Sequence, residues 1–91
     1  MDRVRERILR ATIEHYGGSG QQLKAIEELS ELIRALARAN DPDNIAEEMA
    51  DVRIMLDQLE IIFGNHDEVK RWEFRKLQRL NRRLKAAEVV E

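Results

Sequence analysis

The residues that break helices most readily sit in three short stretches of this 91-residue chain: Gly17, Gly18 and Gly20, then Pro42, then Gly64. Inside a helix, glycine costs about 1 kcal/mol and proline about 3 kcal/mol relative to alanine. Helices are therefore expected to stop at these places and to run between them. Each of the four intervening runs repeats apolar residues at helical spacing, and none alternates as a strand does. There is no internal repeat at domain scale. The fold class expected is all-α, a single domain over 1–91, built as a four-helix antiparallel bundle-type subunit. A chain this short buries only a modest core, so assembly with further copies is expected to add stability.

Asp2 is the expected N-cap of a first helix of fourteen residues, with Val4, Ile8, Leu9, Ile13 and Tyr16 as its apolar side. The segment Tyr16-Gly17-Gly18-Ser19-Gly20 reads as its end and as a flexible connector. A glycine-rich loop before a helix can cradle phosphate, but this one fits neither phosphate-loop nor dinucleotide spacing, and no strand precedes it. Helix two is expected over Gln21–Ala39, with Ile26, Leu29, Ile33 and Leu36 on its buried side and Leu32 beside them. Asn40-Asp41-Pro42-Asp43-Asn44 signals a turn and a helix start. Helix three is expected over Asp43–Phe63, with a wide stripe of Ile45, Met49, Val52, Leu56, Leu59, Ile62 and Phe63 that implies contact on two sides. Gly64-Asn65 closes it, and helix four follows over Asp67–Ala86 with Val69, Trp72, Leu77, Leu80 and Leu84 as its buried side.

Four carboxylates stand out against this frame. Glu28 and Glu31 lie three apart, sixteen residues follow, and then Glu48 and Asp51 lie three apart. Residues three apart share a helical face. If the chain reverses at 40–44, the two pairs come side by side, with Glu31 and Asp51 each roughly 12 Å along its axis from the turn. Four carboxylates so placed repel one another unless a cation compensates, and Mg²⁺ takes oxygen ligands while leaving positions for phosphate. A single pair of this kind is usually a solvated face. Two pairs on consecutive helices, each in register with an apolar stripe, point to a site.

The charge distribution supports that reading. From Glu27 to Glu60 there are ten acidic and three basic residues, whereas from His66 to Lys85 there are eight basic and three acidic. An acidic middle facing a basic end suits a metal beside a polyphosphate. The chain has no cysteine, which excludes disulfides and thiolate chemistry. No apolar run approaches a membrane span and the opening residues form no secretory apolar core, so a cytoplasmic protein with no membrane partner is expected.

Two runs carry a family resemblance: Ala25-Ile26-Glu27-Glu28-Leu29-Ser30-Glu31-Leu32, and Ala46-Glu47-Glu48-Met49-Ala50-Asp51-Val52. Together they resemble the all-α nucleoside triphosphate pyrophosphohydrolases, the MazG-like group, in its short phage and bacterial form. His15-Tyr16-Gly17, Gln22-Leu23 and the tail around Lys76-Leu77 and Arg79-Leu80 are similar to the same group. The resemblance implies hydrolysis of a nucleoside triphosphate between the α and β phosphates, giving the monophosphate and pyrophosphate. It implies Mg²⁺, or Mn²⁺ in its place, on Glu28, Glu31, Glu48 and Asp51, with Glu27 as the adjacent acidic position. It also implies a homodimer or homotetramer in which a neighbouring subunit contributes to the site. The chain departs from the group in being short and poor in aromatics that stack a base.

The chemistry needs charge neutralised on the leaving pyrophosphate and a water set in line. Glu27 or Glu31 is the expected carboxylate for that water. Lys76 and Arg79 are candidates for phosphate contact, against the simpler reading of a solvated basic face; Arg83 reads as plain surface. Gln22 is a candidate for base or ribose contact, although a lone glutamine more often just begins a helix. His15 and His66 lack a second histidine at ligand spacing, and Met49, Met55 and Trp72 read as packing. The competing function is a non-catalytic helical oligomer that binds a partner or nucleic acid through its basic C-terminal helix. The acidic centre argues against nucleic acid, whose phosphates it repels.

Overall fold

The computed structural model describes residues 1–38 and 41–90, with side chains as far as Glu88. The chain is all-helical, with four helices and no strand among the described residues: α1 (Arg3–Tyr16), α2 (Gly18–Arg38), α3 (Pro42–Phe63) and α4 (His66–Val90). The expected end of the second helix at Ala39, and Asn40 of the turn, lie outside the described residues.

Local chemistry sets the ends. The Asp2 carboxylate accepts a hydrogen bond from the Arg5 backbone N–H at 2.8 Å, satisfying one of the unpaired donors of the first turn of α1. Gly17 ends that helix with φ of 86°, and its N–H donates to the Ile13 carbonyl. The glycine-rich connector is then shorter than expected. Only Gly17 joins the helices, and Gly18-Ser19-Gly20 form the first turn of α2. The positive φ is needed once, and glycine at a helix start sits where backbone donors lack intrahelical partners anyway. Gly18 also lies against Ile62, 3.7 Å from where a Cβ would reach.

Helix α3 starts at Pro42, one residue earlier than expected, because Asp41 is its cap. One Asp41 oxygen accepts from both the Asp43 and Asn44 N–H groups. Gly64, in the left-handed region at φ 60°, closes α3. Gly64 and Asn65 are the whole link to α4, whose first bond runs from the Val69 N–H to the Asn65 carbonyl.

Helices α2 and α3 form an antiparallel hairpin that carries most of the tertiary contact, and α1 lies across both. An ion pair from Arg5 to Asp57 at 2.7 Å fastens α1 to α3. Among the described residues, the buried apolar ones are Leu9, Ala25, Ala35, Val52 and Met55. On α2 the inward line is thus Gln21, Ala25, Glu28, Leu32 and Ala35, at coiled-coil spacing. This corrects the expected face: Ile26, Leu29, Ile33 and Leu36 are exposed. Small side chains at the seam let the two helices approach closely, and the bulky stripe points away from it.

Helix α3 has two apolar sides, as its wide stripe implies, but only one is covered. Val52 is buried, and Leu59 and Ile62 are half-buried, whereas Met49, Leu56 and Phe63 are exposed. Helix α4 departs most from expectation. Among the described residues it touches α3 alone, near the joint, where His66 Nδ1 lies 3.0 Å from the Glu60 carboxylate. Its apolar side, including Val69, Trp72, Leu77, Leu80 and Leu84, is exposed instead of buried. Within one chain, three helices pack together and the fourth projects from them, so the four-helix bundle is not closed by a single copy. No helix among the described residues is long and apolar enough to cross a membrane.

Candidate metal centre

The register of the hairpin decides which carboxylates meet. Gln21 Nε2 donates to Gln58 Oε1 at 2.7 Å, between two buried side chains. Seven residues nearer the turn on each helix are Glu28 and Asp51. Seven residues is close to two helical turns, so Glu28 and Asp51 come level on the same inner face. Three residues further on, Glu31 is level with Glu48. Glu31 is thus three residues out of level with Asp51, and the earlier start of α3 accounts for only one of the three.

One oxygen from each of Glu28, Glu48 and Asp51 lies within 4.8 Å of the others, and all three residues are half-buried. Three anionic groups this close leave one oxygen in difficulty. Glu48 Oε2 is enclosed and has no hydrogen-bond partner. Its carboxyl is pushed above the ordinary glutamate range, first by burial and then by the charges of Asp51, Glu28, Glu31 and Glu47. Glu31 is therefore near enough to act on Glu48, but it is not one of the trio. Its carboxylate turns to Arg34, 3.4 Å away on its own helix.

Lys24 partly offsets the charge. Its ammonium lies 3.3 Å from Glu28 and 3.5 Å from Glu27, and these contacts, the Glu28 hydrogen bond first, raise its pKa. Beside it opens a cleft of about 590 Å³. Glu28, Asp51, Lys24 and Glu27 line one end of this cleft; Gln21, Gln58, Met55 and Tyr16 contribute to the remainder. A volume of this size suits a small organic molecule.

The donor set fits a hard divalent cation. It is made of carboxylate oxygens alone, which suit Mg²⁺ and Mn²⁺, and Glu48, which contributes to it, carries a partnerless oxygen. The other expected site residues are dispersed. Gln22 does not line the cleft, whereas Gln21 does. Phase was the available signal, since Gln21 is seven residues from Glu28 and Gln22 is six. Lys76 sits over the Trp72 ring at 5.9 Å, in a separate groove with Val69 and Leu80. Arg79 is exposed on the same helix, and α4 makes no contact with α2 among the described residues. Lys76 and Arg79 are thus not gathered with the carboxylates of their own chain. Lys24, Tyr16 and Gln58 line the cleft without having been singled out from sequence. No protein-family model, curated protein or solved structure matches this chain.

Proposed function

We propose that this chain is a Mg²⁺-dependent nucleoside triphosphate pyrophosphohydrolase, a member of the MazG-like group that works as a homodimer or homotetramer in the cytoplasm. The observation that carries the reading is the trio of Glu28, Glu48 and Asp51, with its enclosed and partnerless Glu48 oxygen. These three side chains would hold the cation, Mg²⁺ or Mn²⁺. Bound there, it supplies positive charge to the phosphates and lowers the cost of the departing pyrophosphate.

The chain's own residues do the rest. Glu31, outside the trio and adjacent to Glu48, orients a water and takes its proton as the water oxygen bonds to the α-phosphorus. The bond from that phosphorus to the bridging oxygen breaks, and the electron pair leaves with pyrophosphate. Glu27 holds Lys24 at the cleft, where its ammonium faces the phosphate chain. Lys76 and Arg79 serve the same end from a neighbouring copy, because their own chain holds them away from the cleft. The exposed apolar sides of α2, α3 and α4 support assembly, since a single copy leaves Ile33, Phe63 and Trp72 largely in water.

The test is pyrophosphate release from a panel of ribo- and deoxyribonucleoside triphosphates, with and without Mg²⁺. Metal-dependent release is expected from the wild type. Glu48→Gln should lower it at least about a hundredfold with the helical circular dichroism intact. Near wild-type release from that variant would sink the metal-site reading.

The exposure of α4 favours a second reading, a non-catalytic oligomer that binds a partner or nucleic acid through its basic helix. Such binding would need no Mg²⁺ and, for nucleic acid, would fall steeply with salt.

A further inference from the structure

The cleft has a second polar feature besides its acids. Gln21 and Gln58 are more than nine-tenths buried, on facing helices, and both line it. Two amides in the interior are costly unless bonded, and one bond between them uses only part of what they offer. Each glutamine carries a carbonyl with two lone pairs and an NH₂ with two hydrogens. The pair spends one hydrogen of Gln21 and one lone pair of Gln58, and Gln58 Nε2 otherwise has only a 3.9 Å approach to Met55 Sδ. A hydrophobic pair would have tied the helices together at less cost.

Placement suggests what the spare capacity serves. The pair lies seven residues from Glu28 on α2 and from Asp51 on α3, ~10 Å along the hairpin at 1.5 Å per residue. That is the scale of a sugar and base extending from a phosphate. The cleft between has apolar walls from Met55 and Ile54, and Tyr16 stands at its rim. One end is anionic and suits a cation with phosphates; the other is neutral and able both to donate and to accept.

We propose that Gln21 and Gln58 form the nucleoside-reading end of the cleft, bonding the polar edge of the base while Met55 and Ile54 meet its faces. This rests on the pyrophosphohydrolase reading for the identity of the other end. Glutamine amides match bases that carry a donor beside an acceptor, as adenine does at N6 and N7. Because Gln21 donates to Gln58, turning both amides over together inverts the pattern the pair presents. The pair therefore accepts bases of either polarity, and the ligand class is nucleosides generally, with modest preference among bases.

The test separates nucleoside binding from catalysis. Calorimetry with Mg²⁺ compares inorganic tripolyphosphate with the α,β-methylene triphosphates of adenosine and cytidine, whose α–β bridge is not cleaved. The wild type is expected to bind both analogues more tightly than tripolyphosphate. Gln21→Leu and Gln58→Met should each weaken the analogues roughly five- to tenfold, as loss of a hydrogen bond does, and leave tripolyphosphate unchanged. Circular dichroism checks folding. Gln58→Asn, which keeps an amide but shortens its reach, replaces any apolar variant that unfolds. Analogues that bind no better than tripolyphosphate, or variants that keep the wild-type preference, would overturn the proposal. A preference lost in the variants, in a protein that releases no pyrophosphate from any triphosphate, would sustain the nucleoside end and overturn the hydrolase reading instead.

Discussion

The α2–α3 hairpin and helix α4 are both amphipathic, and they use that property in opposite ways. In the hairpin, α2 turns its small residues inward and its large ones outward: Ala25 and Ala35 are buried, as are Val52 and Met55 of α3, and Ile26 and Ile33 are exposed. Helix α4 buries none of its described side chains and leaves Trp72 and Leu80 in the open. A close seam of small and polar groups brings carboxylates together, which a seam of leucines would not. The bulky apolar surface stays exposed. The hairpin gathers the carboxylates, and α4 carries apolar surface that its own chain leaves uncovered.

That division is broken most directly on α4. Trp72→Asp combined with Leu80→Asp should cost more than about 5 kcal/mol of association, because buried interface aromatics dominate such energies. Sedimentation is expected to show an oligomer for the wild type and a monomer for the variant, with melting that depends on concentration in the former only. A wild type that is monomeric and melts cooperatively at micromolar concentration would show that α4 is not an interface.

Within the hairpin, Met55→Ala should destabilise by about 2–5 kcal/mol through lost burial and the cavity left behind. The measurement is urea denaturation followed by circular dichroism. A cost below about 1 kcal/mol would mean that the seam contributes little and that the outer faces hold even the hairpin together.

The helix ends at Asp2, Gly17 and Gly64 and three of the four carboxylates were legible in the sequence, because caps and i, i+3 spacing are local, whereas the start of α2 came three residues before the expected one. Asp2, Gly17 and Gly64 act as local rules require, and Glu28, Glu48 and Asp51 meet on a shared inner face. The inward face of α2 was not legible from hydrophobicity. The largest apolar residues mark the side that sheds the most water, and in a chain that leaves such side chains exposed this is not the intrachain seam. Gln21, Ala25, Glu28, Leu32 and Ala35 do form a line at coiled-coil spacing, but a line of one leucine, two alanines and two polar groups does not announce a core. Glu31 shows a different limit. Spacing places its backbone, but the nearby Arg34 decides where its carboxylate points.

Glu48 sharpens the comparison by pH. Its carboxyl is raised above the unfolded value, so the folded state holds that proton more tightly. The stabilisation is complete below the unfolded glutamate pKa of about 4.3 and is lost as pH rises through the folded value. Without metal, Glu48→Gln should therefore melt above the wild type at pH 7, with the gap closing toward pH 4. Mg²⁺ at pH 7 should raise the melting temperature of the wild type and not of the variant. Equal melting of the two proteins at both pH values would remove the argument that the enclosed oxygen is under strain.

The smallest effect concerns α1. Arg5 and Asp57 are 2.7 Å apart, but each side chain keeps about a third of its surface in water, 36% and 32%. Pairs so exposed contribute up to about 1 kcal/mol, since water already solvates both charges and two side chains lose rotamer freedom. A double-mutant cycle of Arg5→Met and Asp57→Asn should return a coupling below that figure, and lower again in 1 M salt. Leu9, 5% exposed, would then be the main anchor of α1, and Leu9→Ala should cost more than either half of the ion pair. A coupling above about 2 kcal/mol would invert the order. The first helix would then be held by charge rather than by burial, and the contrast between a helix that finds apolar cover in its own chain and one that does not would rest on the α2–α3 hairpin alone.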